Sequence, residues 1–223
     1  MMMAAGALAD TAPVKMEVPL EAIETQAEGE LETYDLTFPE DMPLAARNFV
    51  LFARAEFEKV FGAEAKCCGA PGWQISPAAL EVEDAANLLY ASDVRGEFPF
   101  IPKMGGRTFK TIQIPSTLPT LDEVLGTVKI GEVAEMHFAA MREREYSVLT
   151  AHAELEGMAY LEWFDKFISE ARGRGVEFYP LEARARELSA NRSQLPVCEI
   201  EMSPFPGRSG LLAVQKPQTQ APR

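Results

Sequence analysis

The spacing of apolar side chains predicts helices along much of the chain. Between Pro43 and Gly62, apolar residues recur at steps of three and four, which is typical of one buried helix face. Proline near the start and glycine after the end are the usual boundary residues. The same pattern, with Ser76 as a predicted N-cap, predicts four more helices over residues 76–89, 131–145, 159–175 and 181–190.

Short apolar runs between these helices predict strands. They cover residues 109–115, 146–153 and 176–181, and a glycine-rich turn leads into another apolar run that ends near residue 215. From residue 65 onward, strands and helices therefore alternate in a βαβ-like order. This order predicts an α/β fold with a mostly parallel sheet or barrel, in which functional residues lie at the carboxyl ends of strands.

Composition narrows the class of protein and the compartment. The 223 residues carry 34 acids and 21 bases, a net charge of −13, which argues against nonspecific binding to nucleic acid or to anionic membranes. The chain contains no run of 18 apolar residues and starts with a poor signal-peptide pattern. Three cysteines, two of them adjacent, form neither a zinc motif nor a disulfide framework. We therefore expect a cytoplasmic protein.

The same composition suggests three segments. Residues 1–28 lack a sustained period and are interpreted as an N-terminal tail, residues 29–215 as one α/β domain, and residues 216–223 as a disordered C-terminal tail.

Only two histidines are present, so each is a candidate for proton transfer. His152 lies in the stretch LTAHAELEG at the end of a predicted strand. The residues alone leave two alternatives open for it, a catalytic acid and a structural core histidine. Glu154 and Glu156 would share its strand face. His137 lies on a predicted helix, and we expect it to be partly exposed and without a catalytic role.

Five segments in a fixed order carry a family resemblance: GWQ, YASDVRGEFPF, TIQIPSTLPTLDEVLG, LTAHAELEGMAY and GVEFYPLEA. Over residues 30–215 the chain resembles the polysaccharide deacetylase (NodB-homology) superfamily. Within it, the chain is most similar to the deformylases of lipid A modification, which act on 4-deoxy-4-formamido-L-arabinose carried by undecaprenyl phosphate. The resemblance implies a partial, distorted (β/α) barrel that lacks its first βα units. It also implies a hydrolase of carbon–nitrogen bonds other than peptide bonds.

The resemblance also implies site residues. His152 corresponds to the acid that protonates the leaving amine, and Asp93 to the catalytic carboxylate that orients it. Arg95 is expected to bind a sugar phosphate, and Trp73 to stack on a sugar ring or fill the core. Gln74 stands where the family has an arginine, which removes a positive charge from the expected site.

A divalent metal is the cofactor that the resemblance implies, with a His-x-x-x-His motif as its main ligands. In the matching stretch LETYDLTFPED, Glu32 and Leu36 replace the two histidines, and only Asp35 is kept. Leucine cannot ligate a metal, so no metal ligands are predicted in this chain. Asp10, in ALADT, resembles the family's first acidic motif by coincidence.

Two functional hypotheses follow from the resemblance. The first is an N-deformylase or deacetylase for a lipid-linked aminosugar. The alternative is an inactive module, a pseudoenzyme, that binds a sugar phosphate or a protein. Expected partners are the lipid-linked sugar and the surface of the inner membrane through peripheral contact, but not nucleic acid. A barrel without its first strands exposes edges, which predicts a homo-oligomer or a partner chain.

Overall fold

The computed structural model describes residues 44–216, with side chains from residue 53 onward. The tail over residues 1–28, the predicted metal stretch with Glu32, Asp35 and Leu36, and Asp10 lie outside this range, as do residues 217–223.

All five predicted helices are confirmed. They are α1 (Leu44–Phe61), α2 (Pro77–Ala85), α4 (Ile130–Arg142), α5 (Leu161–Gly173) and α6 (Leu181–Ala190). Ser76 caps α2, since its side chain accepts a hydrogen bond from the Ala79 N–H at 3.3 Å. A short helix, α3 (Leu121–Val124), begins with a capping box in which Thr120 and Glu123 satisfy each other's free donors.

Six strands form two small sheets. Strands β1 (Cys67–Cys68) and β2 (Tyr90–Ala91) pair in parallel. The larger sheet has the order β4-β3-β5-β6. Its strands are β3 (Ile101–Met104), β4 (Arg107–Thr108), β5 (Val197–Pro204) and β6 (Leu211–Gln215). Strand β3 is parallel to β5, and β6 is antiparallel to β5. The α/β class is therefore confirmed, and the described residues form no closed barrel.

Three strand predictions fail or hold only in part. Residues 109–115 form isolated bridges at Gln113 instead of a ladder. Residues 146–153 are not a strand, because Val148 bonds partly through the Thr117 hydroxyl, which interrupts the backbone ladder. Residues 176–181 are also not a strand, and Tyr179 there is 70% exposed. An apolar run without a neighbouring backbone cannot make the bonds that define a strand.

The sheet and helices enclose a core of separate apolar clusters. Phe100 and Leu80 lie fully buried between β3 and α2. Phe167 of α5 stacks on Phe138 of α4 with ring centroids 5.3 Å apart. Leu121 and Val124 of α3 pack in a cluster with Val133 of α4 and Trp163 of α5. Two acidic side chains of the site project from α3. Within residues 44–216, no helix is long and apolar enough to cross a membrane.

Candidate functional site

Arg95 is held in place by backbone pairing on two sides. It forms parallel bridges with Ser116 on one side and with Val214 of β6 on the other. Its N–H donates to Ala213 O at 2.9 Å, and its own carbonyl accepts from the Gln215 N–H at 2.8 Å. The segment after β2 therefore joins the two sheets, and its position is set by both of them.

The Arg95 guanidinium is buried in an ion pair. Its Nη2 lies 3.2 Å from Glu123 Oε2, and both side chains are only 2% exposed. The guanidinium also lies 4.9 Å from the centroid of the Trp73 ring and 4.7 Å from that of Phe205. Burial lowers the pKa of Arg95, and the charge of Glu123 opposes this effect. The ion pair is what keeps this cation charged in an apolar enclosure.

Arg208, in the turn before β6, joins the same network of charges. Its Nη1 lies 2.9 Å from Asp122 Oδ2, and its Nε donates to Glu123 Oε1 at 3.1 Å. Its guanidinium is also 4.8 Å from the Trp73 centroid. Two arginines and two acids thus neutralise each other around one indole ring, and the Arg208 side chain stays 21% exposed.

His152 lies at the exposed end of this network. Its side chain is 25% exposed, and its Nδ1 lies 3.6 Å from Asp122 Oδ1. Its backbone N–H donates to Glu156 Oε2 at 2.8 Å. Glu156 is buried in a π-helical turn, Leu155–Ala159. The prediction that Glu156 and His152 share one face of a strand is therefore wrong. The ring is thus neither sealed in the core nor free in solvent.

Asp93 is buried in a cluster of its own. Its Oδ1 accepts from the Ala70 N–H at 2.7 Å, and its Oδ2 accepts from the Gln113 amide at 2.6 Å. The side chains of Cys68 and Glu83 bring their ligating atoms within 4.8 Å of its carboxylate. Its recorded contacts are with this cluster, whereas those of His152 are with Asp122 and Glu156. The catalytic assignment of Asp93 stays a prediction.

The pKa values of three groups in this cluster are raised. Burial, followed by the charge of Asp93, raises the pKa of Glu83 well above its ordinary value. Burial also raises the pKa of Asp93, while hydrogen bonds from Gln113, Glu83 and Ala70 act in the opposite direction. Burial raises the pKa of the Cys68 thiol as well. Burial therefore favours the neutral forms of the two carboxyl groups and of the thiol.

The same three side chains could hold a metal ion, but they do not fit the metal centre that the resemblance implies. The resemblance implies histidine ligands, and the positions that correspond to them lie outside the described residues. In the cluster, thiol and carboxyl protons would have to leave before a cation could bind. The amide nitrogen of Gln113 donates to Asp93 and also lies 3.4 Å from Glu83 Oε2. A hydrogen-bond donor therefore already lies between these two carboxyl groups.

Two other sequence-based assignments change. His137 was predicted to be partly exposed, but its exposure is 1%, because α5 covers the face of α4 on which it lies. Its Nε2 lies 2.8 Å from the carbonyl oxygen of Pro119. Gln74, at the position of the family arginine, donates its amide to Leu211 O at 2.6 Å. Asp122, Glu123, Arg208 and Gln113 were not singled out as site residues from the sequence. The only signal for the first two was the capping-box pattern TLDE.

The chain is similar to two curated proteins over two thirds of its length. It is 32% identical over 154 residues to a 4-deoxy-4-formamido-L-arabinose-phosphoundecaprenol deformylase, ArnD, of Wigglesworthia glossinidia brevipalpis, covering 67% of this chain and 52% of the relative. It is 34% identical over 152 residues to the ArnD of Shewanella sediminis, and this match covers 67% of this chain and 47% of the relative. A solved structure described as a polysaccharide deacetylase from Mycobacterium smegmatis has a TM-score of 0.49 and 16% identity, over 66% of this chain and 55% of that one. No protein-family model matches the chain.

These similarities relate the matched part of the chain, 67% of its length, to a class of proteins named as deformylases. Both relatives are named for 4-deoxy-4-formamido-L-arabinose-phosphoundecaprenol. The chain spans about half the length of the curated relatives it matches.

Proposed function

We propose that this chain functions as a carbohydrate N-deformylase or deacetylase, with a lipid-linked aminosugar as its substrate. The described part would carry the side of the site that receives the leaving amine. The observation that carries this proposal is the position of His152. Its ring is a quarter exposed and lies beside a carboxylate, at the residue that the family resemblance assigns to the general acid.

The reaction requires a proton donor for a poor leaving group. Water adds to the formamide carbonyl carbon, the carbon–nitrogen bond breaks, and the products are formate and the free amine of the sugar. An amine leaves only if its nitrogen is protonated as the bond breaks, and histidine is suited to deliver that proton near neutral pH. Protonated His152 supplies it in our proposal. Asp93 is the second catalytic residue that the family resemblance assigns.

The other candidate residues differ in how much of their side chains is exposed, and we propose supporting roles for the buried ones and substrate contact for the exposed one. Trp73 is 5% exposed and Arg95 2% exposed, so neither offers much surface to a ligand. In our proposal they support the site by fixing Glu123 and Arg208. Arg208, at 21% exposure, is then the cation best placed to meet the phosphate of a lipid-linked sugar. Contact with the membrane that holds such a lipid, and association with a second chain, are parts of the same proposal.

Formate release from a 4-formamido sugar phosphate tests the proposed function. The full chain should release formate, and His152→Ala should abolish the release. Asp165→Asn, which changes one exposed charge on α5, is the matched control and should act like the parent. Absence of turnover with and without added divalent metal would overturn the enzyme proposal. Tight sugar binding without turnover would favour the inactive binding module.

A further inference from the structure

A buried cluster of possible metal ligands joins three separate elements of the fold. Cys68 of β1, Glu83 of α2 and Asp93 after β2 bring one sulfur and two carboxylate oxygens within 4.8 Å of one another. Glu83 is 6% exposed and Asp93 is 1% exposed. The Sγ of Cys68 lies 4.0 Å from Asp93 Oδ1. Each element therefore contributes one ligating atom to the same enclosed point.

The spacing of these atoms suits a tetrahedral divalent ion. Zinc binds thiolate sulfur at about 2.3 Å and carboxylate oxygen at about 2.0–2.2 Å, so two such ligands at a tetrahedral angle lie about 3.6 Å apart. The 4.0 Å between Cys68 Sγ and Asp93 Oδ1 is close to this separation. Glu83 has the longest of the three side chains, and rotation about its bonds can close the remaining distance.

Neutral hydrogen-bond donors orient the Asp93 carboxylate. Its Oδ2 accepts from the Gln113 amide at 2.6 Å, and its Oδ1 accepts from the Ala70 N–H at 2.7 Å. The Gln113 side chain is itself fixed, because its Oε1 accepts the Asp93 N–H at 3.1 Å. Each carboxylate oxygen has a second lone pair, so Oδ1 can still bind a cation beside Cys68. Outer hydrogen bonds of this kind orient metal ligands in proteins.

The largest charge effects on this cluster come from other acids. Asp93 and Glu83 act on the Cys68 thiol, and Asp93 and Asp84 act on Glu83. Acids that are buried together avoid mutual repulsion either by keeping their protons or by binding a cation. In metal-free protein, burial keeps these groups neutral. A divalent ion would replace their protons.

We propose that Cys68, Glu83 and Asp93 bind a divalent transition-metal ion of the zinc type, with a fourth position left for water. A thiolate ligand favours such ions over Mg²⁺ and Ca²⁺, which prefer sites made only of oxygen. This site differs from the metal centre that the family resemblance implies, whose main ligands are histidines. The ion ties β1, α2 and the segment after β2 together, so its role is structural and does not depend on the proposed reaction.

Cobalt binding tests the site directly, because a thiolate bound to Co²⁺ gives a charge-transfer absorption in the near ultraviolet. The full chain, freed of metal by a chelator and kept reduced, should bind Co²⁺ with this absorption, and Zn²⁺ should displace it. Cys68→Ser should abolish the absorption. Cys67→Ser is the matched control, since it removes the adjacent thiol of the same strand, which is not part of the cluster. It should keep the absorption.

Stability and affinity provide further readouts. Zn²⁺ should raise the Tm of the parent and of Cys67→Ser, but not that of Cys68→Ser. Glu83→Gln keeps the thiolate and should weaken Co²⁺ binding at least about 10-fold, since loss of even an outer partner of a metal ligand costs that much. This variant also tests the site if Cys68→Ser does not fold. X-ray absorption of the bound zinc should show a sulfur ligand at about 2.3 Å.

Three results would overturn the proposal. The first is a parent protein without thiolate absorption at saturating Co²⁺. The second is an absorption that persists in folded Cys68→Ser, and the third is an unchanged affinity in Glu83→Gln, because each would place the ion elsewhere in the chain. None of these readouts uses turnover, so the metal site and the enzyme proposal can fail independently.

Discussion

Arg95 and Glu123 form an ion pair that is sealed from solvent, with Nη2 and Oε2 3.2 Å apart and each side chain 2% exposed. Glu123 also accepts the Thr120 N–H at 2.9 Å and Arg208 Nε at 3.1 Å. One carboxylate therefore joins the start of α3 to two arginines from distant parts of the chain. The stability of the fold and the geometry of the candidate site depend on the same group.

Glu123→Gln should destabilise the protein strongly. It leaves the Arg95 charge buried without its counterion, and breaking one partner of a buried pair typically costs about 3–5 kcal/mol. Urea unfolding measures the loss, with the exposed Glu162→Gln as a matched control that should change stability by less than about 0.5 kcal/mol. A loss as small as that of the control would show that the pair does not stabilise the fold.

Gly207→Ala should destabilise the turn that carries Arg208. Gly207 has a φ of +78°, and an added Cβ would lie 2.8 Å from Glu123 Cα and 2.9 Å from its carbonyl carbon. Backbone atoms cannot move aside as a flexible side chain can, so we expect a loss of about 1–3 kcal/mol. Thermal unfolding measures it. Gly173→Ala, where an added Cβ meets nothing within 4 Å, should be neutral or slightly stabilising.

Glu83→Gln should change how stability depends on pH. The pKa of Glu83 is raised in the folded protein by burial and by the charge of Asp93. Above the ordinary value of 4.5 the unfolded chain loses this proton while the folded protein keeps it, so stability falls as pH rises towards the folded pKa. One such group contributes a slope of at most about 1.4 kcal/mol per pH unit.

The glutamine variant keeps a neutral side chain at every pH and should remove this slope. Urea unfolding of parent and variant at several pH values between about 5 and 8 would show it, because the variant gains relative stability as pH rises. A constant difference between the two proteins across this range would mean that Glu83 is ionised in the folded state.

His137 should contribute the opposite dependence. Burial lowers its pKa below the ordinary 6.5, with the Pro119 carbonyl and Glu156 acting against this effect. As pH falls through 6.5, the unfolded chain takes up a proton that the folded protein does not, so this contribution to stability is lost in acid. His137→Asn, which does not titrate, should cost less stability at pH 5.5 than at pH 7.5. An equal cost at both values would contradict the prediction.

Helices were predictable from this sequence because their signals are local. Apolar spacing and the Ser76 cap each act within one or two turns, and both appear where expected. Strands were less predictable, because a strand exists only where another backbone lies beside it. The run at residues 146–153 lost its ladder to the Thr117 hydroxyl, and β5 was not foreseen at all.

The α/β class, the helices, the family resemblance and the candidacy of His152 follow from patterns in the amino-acid sequence. Which charges meet depends on how the elements pack. Asp122 reaches His152 from 30 residues earlier in the chain, and Arg208 reaches Glu123 across 85 residues. No local pattern records such pairings, because they depend on how helices and strands pack, and it is burial in that packing that makes each charge require a partner.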